Sequence, residues 1–142
     1  MCQQFNPQRI LEIGPYKLPL FHGSDTLDSL TNVKPTFLHD ATDTPWPIED
    51  KSYDLMIGLQ IWEQFDTEQQ KCFLEAMRVA RYAVLSFPLE WNTPNDPTHH
   101  NITEAQIMEW CLNTSPLQKV AIGSRLIVAF DLENAPVLTS AM

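Results

Sequence analysis

Residues 53–59 read YDLMIGL. From Leu55 onward the run offers no polar side chain. A strand with one face in water alternates apolar and polar residues. A run without that alternation fits a strand buried on both faces, as in a parallel sheet. Residues 82–87, YAVLSF, repeat the pattern. Between the two, Phe73, Ala76, Met77 and Ala80 recur at i, i+3, i+4 and i+7, the apolar face of a helix. Asp66 is placed to cap that helix, with Gln69 at the reciprocal capping-box position. Strand, helix, strand is the unit from which parallel sheets are built.

Short strands are expected over Arg9–Ile13, Asp25–Asp28 and Thr36–His39, ahead of Tyr53–Leu59 and Tyr82–Phe87. Thr103 and Gln106 form a second capping box, after which Ile107, Trp110 and Cys111 face inward. Asn113 and Pro116 end that helix. Residues 117–132, LQKVAIGSRLIVAFDL, read as two strands joined by Gly123-Ser124. Glycine first in a two-residue loop suits a type II′ turn and an antiparallel hairpin. The fold class is therefore α/β: a doubly wound, mostly parallel sheet with a C-terminal antiparallel hairpin, in a single domain over residues 1–142.

The net charge is -9, with nine Lys and Arg spread thinly against eighteen acids. Binding a polyanion needs cationic neutralisation of phosphates, so nucleic acid is not an expected partner. No apolar run is long enough to cross a bilayer, and no membrane association is expected. The first ten residues, MCQQFNPQRI, lack a charged-then-apolar signal pattern. Cys2, Cys72 and Cys111 form no CxxC pair, which argues against a disulfide framework or thiolate zinc site. A reducing, cytoplasmic location fits best. Cys72 and Cys111 sit at helical positions among apolar neighbours, as inert buried thiols do.

Several segments, in order, resemble class I S-adenosylmethionine-dependent methyltransferases of the small, type 11-like kind. ILEIG looks like the first strand and glycine motif, and TLDS like the second strand with its terminal acid. TFLHDATDTPWPIEDKSYDLMIG looks like the third strand, the acidic loop and the fourth strand. LQIWEQF, FLEAMRVARYAVLSFP and HHNITEAQIMEW resemble the segments that follow. The similarity runs from Arg9 to Leu132 and implies a shortened Rossmann-like methyltransferase fold. Its departures are specific. Gly14 is a lone glycine where the family has two or three, which implies fewer backbone contacts to the cofactor. The interval from Glu12 to Asp28 is shorter than the roughly twenty residues usual between a nucleotide loop and its ribose acid. LQIW is not the Asp/Asn-Pro-Pro-aromatic motif of members that methylate nucleic-acid amino groups.

The resemblance implies a cofactor site of Glu12, Gly14, Asp28, Asp40, Ala41 and Gln60. Asp28, at a strand end, can accept both ribose hydroxyls, or can be a polar strand terminus. Asp40 and the N–H of Ala41 meet the adenine in the family; an Asx-type turn is the alternative. Glu12, a carboxylate inside an apolar run, either organises the loop and holds the cofactor's amino group through water, or bonds the loop backbone alone. Gly14 either lets backbone approach the cofactor or permits the turn before Pro15. Gln60, Ile61 and Trp62 can line the methionine end, with Trp62 equally suited to the core. His99 and His100 are the weak catalytic candidates, as general bases or as surface-loop histidines. HDATD and DPTHHN hold histidines and acids, yet no metal site is expected from them.

The expected function is S-adenosylmethionine-dependent methyl transfer to a small molecule. The alternatives are a catalytically inactive methyltransferase-like subunit for binding or assembly, and an unrelated nucleotide-binding domain. A homodimer is also expected. The first three connections carry proline or are short, which leaves Ile10, Leu27 and Phe37 thinly covered unless Tyr16, Leu18, Leu20 and Phe21 fold back on the sheet.

Overall fold

The structure, a computed structural model, describes residues 7–15, 20–65, 67–89 and 102–133. Seven strands form one sheet: β1 Ile10–Ile13, β2 Asp25–Asp28, β3 Phe37–Leu38, β4 Tyr53–Leu59, β5 Ala80–Pro88, β6 Gln118–Ile122 and β7 Arg125–Asp131. Their spatial order is β3-β2-β1-β4-β5-β7-β6. The first five are parallel, with β1 between β2 and β4. β7 lies antiparallel to both β5 and β6. The expected hairpin is present: Gly123 takes φ +59° at its turn and Ser124 does not share the positive φ, as a type II′ turn requires.

The apolar runs that suggested burial on both faces are β4 and β5. Leu55, Met56, Ile57, Val84 and Leu85 are all almost fully buried. The chain builds outward from β1 to β3 on one side, then returns to place β4 on the other side of β1. Between β1 and β4 the strand order reverses. In open α/β sheets, ligands bind at such a point, outside the strands' carboxyl ends.

Two α-helices are present among the described residues, α1 Gln69–Val79 and α2 Glu104–Trp110. Of the expected apolar face, Phe73 and Ala76 are buried and Met77 is half-buried, while Ala80 is buried but already belongs to β5; Val79, outside that pattern, is buried as well. Its start differs from the expected capping box. Glu68 holds the cap position without a side-chain cap bond, and Gln69 is the first helical residue. Asp66 lies outside the described residues. The end differs too, because Ala80 is already extended, at φ -134° and ψ 158°, and opens β5 with no loop between. Lys51 makes that abrupt ending possible. Its N–H donates to Arg78 O at 2.7 Å, and its ammonium donates to Met77 O at 2.6 Å and Ala80 O at 2.8 Å. Carbonyls left over at a helix end are satisfied this way. For α2, the expected cap is found: Gln106 N–H donates to Thr103 Oγ1 at 3.2 Å. The helix stops at Trp110, and Leu112 and Asn113 then take left-handed conformations. Asn113 N–H donates back to Met108 O at 2.8 Å.

Both helices and the 41–52 loop pack on one face of the sheet, in a core that includes Trp46, Ile48, Phe73, Ile107 and Phe130. The other face carries a smaller cluster of Leu55, Ile57, Val84 and Ala129. Phe21 is the one described apolar side chain from outside the sheet that packs there. Leu27, expected under thin cover, is 1% exposed, while Ile10 and Phe37 are half-buried. Of the residues expected to fold back, Phe21 does so, Leu20 is exposed, and Tyr16 and Leu18 lie outside the described residues. No helix of the described residues is long and apolar enough to cross a membrane.

Candidate functional site

A cleft of about 340 Å³ opens at the carboxyl ends of β1, β2 and β3. This is at the small end of the range for ligand pockets. Its polar wall is Asp28, Ser29, His39, Asp40, Thr42 and Gln64. Its apolar wall is Ile13, Leu27, Ala41, Ile61 and Phe65, with the backbone of Gly14 between. Four of the six expected binding residues, Gly14, Asp28, Asp40 and Ala41, are thus brought together from three connections of the chain.

Asp28 closes β2 and is 7% exposed. A carboxylate that buried must be hydrogen-bonded. Its Oδ1 accepts the N–H of Leu30 at 3.1 Å, and its carbonyl accepts the N–H of His39 at 3.0 Å, which ties β2 to the end of β3. Asp40 is exposed and forms the Asx-type turn that its position allows. Its Oδ1 accepts the Thr42 N–H at 2.9 Å and hydroxyl at 2.7 Å. Those two bonds, with His39 nearby, hold its carboxyl below the usual range despite some burial. His39 Nε2 donates to Asp43 O at 2.6 Å, so the ring is fixed against the same loop. Ala41 is buried, and its carbonyl accepts the Trp46 indole N–H at 2.8 Å and the Cys72 thiol at 3.2 Å. The acidic loop is therefore anchored into the core directly behind the cleft.

Glu12 does not line the cleft. It points to the opposite side of β1, where its carboxylate accepts the N–H groups of Leu20 and Phe21, at 2.6 Å and 3.2 Å, and the hydroxyl of Ser24. These bonds organise the loop between β1 and β2, one of the two roles expected of it. Gln60 is also outside the cleft. Its φ of +55° turns the chain, and its N–H donates to Ser86 O at 2.9 Å. The turn delivers Ile61, Gln64 and Phe65 to the cleft instead. Trp62 is fully buried, and its indole N–H donates to Gln69 O at 3.0 Å, the core role. His99 and His100, with the rest of DPTHHN, lie outside the described residues. Among the described residues no group of three His, Cys, Asp or Glu is placed to hold a metal.

Gln64 and Phe65 were not singled out by sequence reading. They arrive through a 3₁₀ turn, Trp62–Gln64, whose bonds Gln64 N–H to Ile61 O and Phe65 N–H to Trp62 O leave no strong sequence signal. Ser29 and Thr42 were missed for a simpler reason. Each is a small polar loop residue of a kind found in most turns.

No protein-family model matches the chain, and no curated protein matches it in sequence. Solved structures do match in shape. An S-adenosylmethionine-dependent methyltransferase from Aquifex aeolicus superposes with a TM-score of 0.65 at 12% identity, over 96% of this chain and 87% of that one. One from Methanosarcina mazei gives 0.62 at 13% identity, over 85% and 90%. An rRNA methylase from Escherichia coli gives 0.60 at 18% identity, over 87% of this chain and 56% of that one. The strand order, the antiparallel β7 and these superpositions agree: the chain has the fold of the class I S-adenosylmethionine-dependent methyltransferases.

Proposed function

We propose that the protein binds S-adenosylmethionine in this cleft and transfers its methyl group to a small molecule. The observation that carries the reading is the convergence of Gly14, Asp28 and Asp40 on one cleft at the point where the strand order reverses. The donor set suits a nucleoside. Asp28 would accept the ribose hydroxyls, Asp40 the adenine amino group, and the Ala41 N–H would meet a ring nitrogen. Ile13, Leu27 and Phe65 would exclude water from the ring faces. The bound cofactor supplies a methyl group made electrophilic by its sulfonium. The chain's own contribution is chiefly proximity and alignment. If the acceptor must lose a proton, His39 is the imidazole in the cleft wall, and His99 and His100 remain the loop candidates.

The small-molecule acceptor is supported by the net charge of -9, which opposes a phosphate backbone. Escherichia coli supplies an rRNA methylase among the neighbours, so RNA is the acceptor class to test against. A catalytically inactive binding subunit is the second reading, favoured by the lone Gly14 and by the side chain packed on it. Equilibrium dialysis against labelled S-adenosylmethionine tests the first. Retention that excess S-adenosylhomocysteine abolishes supports it, and no retention above buffer contradicts it. Label transfer to added acceptors then separates enzyme from binding subunit.

A further inference from the structure

The opening of the sheet beyond Gly14 is closed by a side chain. A Cβ placed on Gly14 would lie 2.9 Å from Ile61 Cδ1 and 3.0 Å from its Cγ1. Real Cβ atoms essentially never approach so closely, so Ile61 is packed onto the bare Cα of the glycine. Gly14 also sits at φ +61°, a conformation that favours glycine by itself. The one glycine of the motif is thus occupied by the protein's own side chain at the place where a ligand would come close to backbone.

Ile61 is held there firmly. Gln60 before it is fixed to β5 through Ser86 O, and Trp62 after it is fully buried against Gly58, where an added Cβ would meet the indole at 3.0 Å. A β-branched side chain has little freedom at χ1. Past Gly14 lies a separate recess of about 110 Å³, lined in part by Glu12, Pro15, Ile57 and Leu59. The cleft and the recess share Ile13 and Gly14, and it is against Gly14 that Ile61 is pressed. Two described polar groups on this side are already engaged. Glu12 accepts three hydrogen bonds from the 20–24 loop, and Gly14 N–H donates to Leu27 O at 2.8 Å. A ligand carboxylate arriving here would have to compete with Leu27 O for the Gly14 N–H.

We propose that Ile61 is a specificity-determining residue that closes the amino-acid end of the crevice, leaving a site that recognises the nucleoside part of its ligand. The proposal rests on the cofactor reading above and deepens it. A ligand carrying adenosine with a short 5′ substituent then gains little from adding an amino-acid arm, because that arm must move Ile61 or stay in solvent.

The test compares S-adenosylhomocysteine with 5′-methylthioadenosine, which lacks the arm, by calorimetric titration of wild type, Ile61→Ala and Ile61→Val. Ile61→Val removes only the Cδ1 that makes the closest approach, and keeps the fold if alanine does not. Wild type is expected to prefer S-adenosylhomocysteine by less than about tenfold; Ile61→Ala should raise that preference at least about tenfold and Ile61→Val should raise it less. Ile61 also lines the cleft, so the readout is the ratio of the two affinities in each variant and not the methylthioadenosine affinity alone. A wild-type preference well above tenfold, or no rise in a folded variant, overturns the role of Ile61 and leaves the nucleoside cleft intact. If neither ligand binds wild type or folded variants at millimolar concentration, the cleft reading fails and the proposal with it.

Discussion

In the proposed site, recognition of the ribose turns on Asp28. It sits at the end of β2, nearly buried, and lines the cleft. A charged acceptor bonded to a ligand hydroxyl contributes about 1.5–3 kcal/mol. Asp28→Ala is therefore expected to weaken S-adenosylhomocysteine binding by roughly ten- to a hundredfold. Calorimetry on a variant with a wild-type circular dichroism spectrum checks this, and unchanged affinity would remove Asp28 from the site. Asp28 stood out in the sequence as the acid that ends the second strand, DTLD, with a polar strand terminus as the alternative reading. Ile61 was legible as part of the segment after β4 that can line the methionine end, but not as a side chain packed on Gly14. Its contact with Gly14 depends on the left-handed turn at Gln60, which no residue type announces. The two described cysteines behave as their surroundings dictate. Burial, with Glu68, Asp40 and Glu75 adding to it, pushes the Cys72 thiol up to about 12, and burial raises Cys111 as well. Neither should react with iodoacetamide in the native protein at pH 8, and both should react once it is unfolded, as peptide mapping would report. The sign for stability follows from a raised pKa. Their contribution is complete below the ordinary thiol value of 9.0 and falls away as pH rises toward the folded value.

At the scale of elements, the 41–52 loop replaces a crossover helix, and Pro45 and Pro47 are why no helix forms there. Arg78 of α1 fastens it instead. Its guanidinium donates to Ile48 O at 2.6 Å, Trp46 O at 3.1 Å, Asp50 Oδ1 at 2.9 Å and Glu75 Oε1 at 2.8 Å. Glu75 in turn accepts Trp46 N–H at 2.6 Å. The Arg78 bond is the main reason the Glu75 carboxyl lies below its ordinary value, with burial opposing and Trp46 assisting. Arg78→Met strips a buried carboxylate and two carbonyls of their partner, and should destabilise the fold by about 3 kcal/mol. A depressed carboxyl contributes stability above its unfolded pKa and loses it as pH falls through the folded one. The gap between wild type and Arg78→Met in urea unfolding should therefore be widest near neutrality and shrink below pH 4.5. A gap that does not depend on pH would mean that Arg78 acts by packing alone. Element type was readable along most of the chain because β4, β5, α1 and the hairpin carry strong patterns. The boundary at Ala80 was not, since it is set by Lys51, which arrives from elsewhere in the sequence.

For the whole molecule, one face of the sheet holds both helices and the other is covered thinly among the described residues. Leu55, Ile57, Val84 and Ala129 on that second face are nonetheless 3% exposed or less. The expected homodimer would add cover where Ile10 of that face remains half-buried, and light scattering after size exclusion at micromolar concentration tests it. A 16.3 kDa species that binds no hydrophobic dye would show that the chain covers itself. The acidic balance makes a second whole-molecule prediction, that no RNA or DNA gel shift survives about 0.15 M salt. A shift that persists there and weakens with more salt would reveal a basic face and reopen the acceptor class. Both questions follow from a more basic one, whether the shortened glycine loop still supports a cofactor cleft. Calorimetric titration of the wild-type protein with S-adenosylhomocysteine answers it directly. The account predicts one saturable site with micromolar or weaker affinity, about -8 kcal/mol or less favourable, because Gly14 provides few backbone contacts. No saturable heat at millimolar ligand would contradict it.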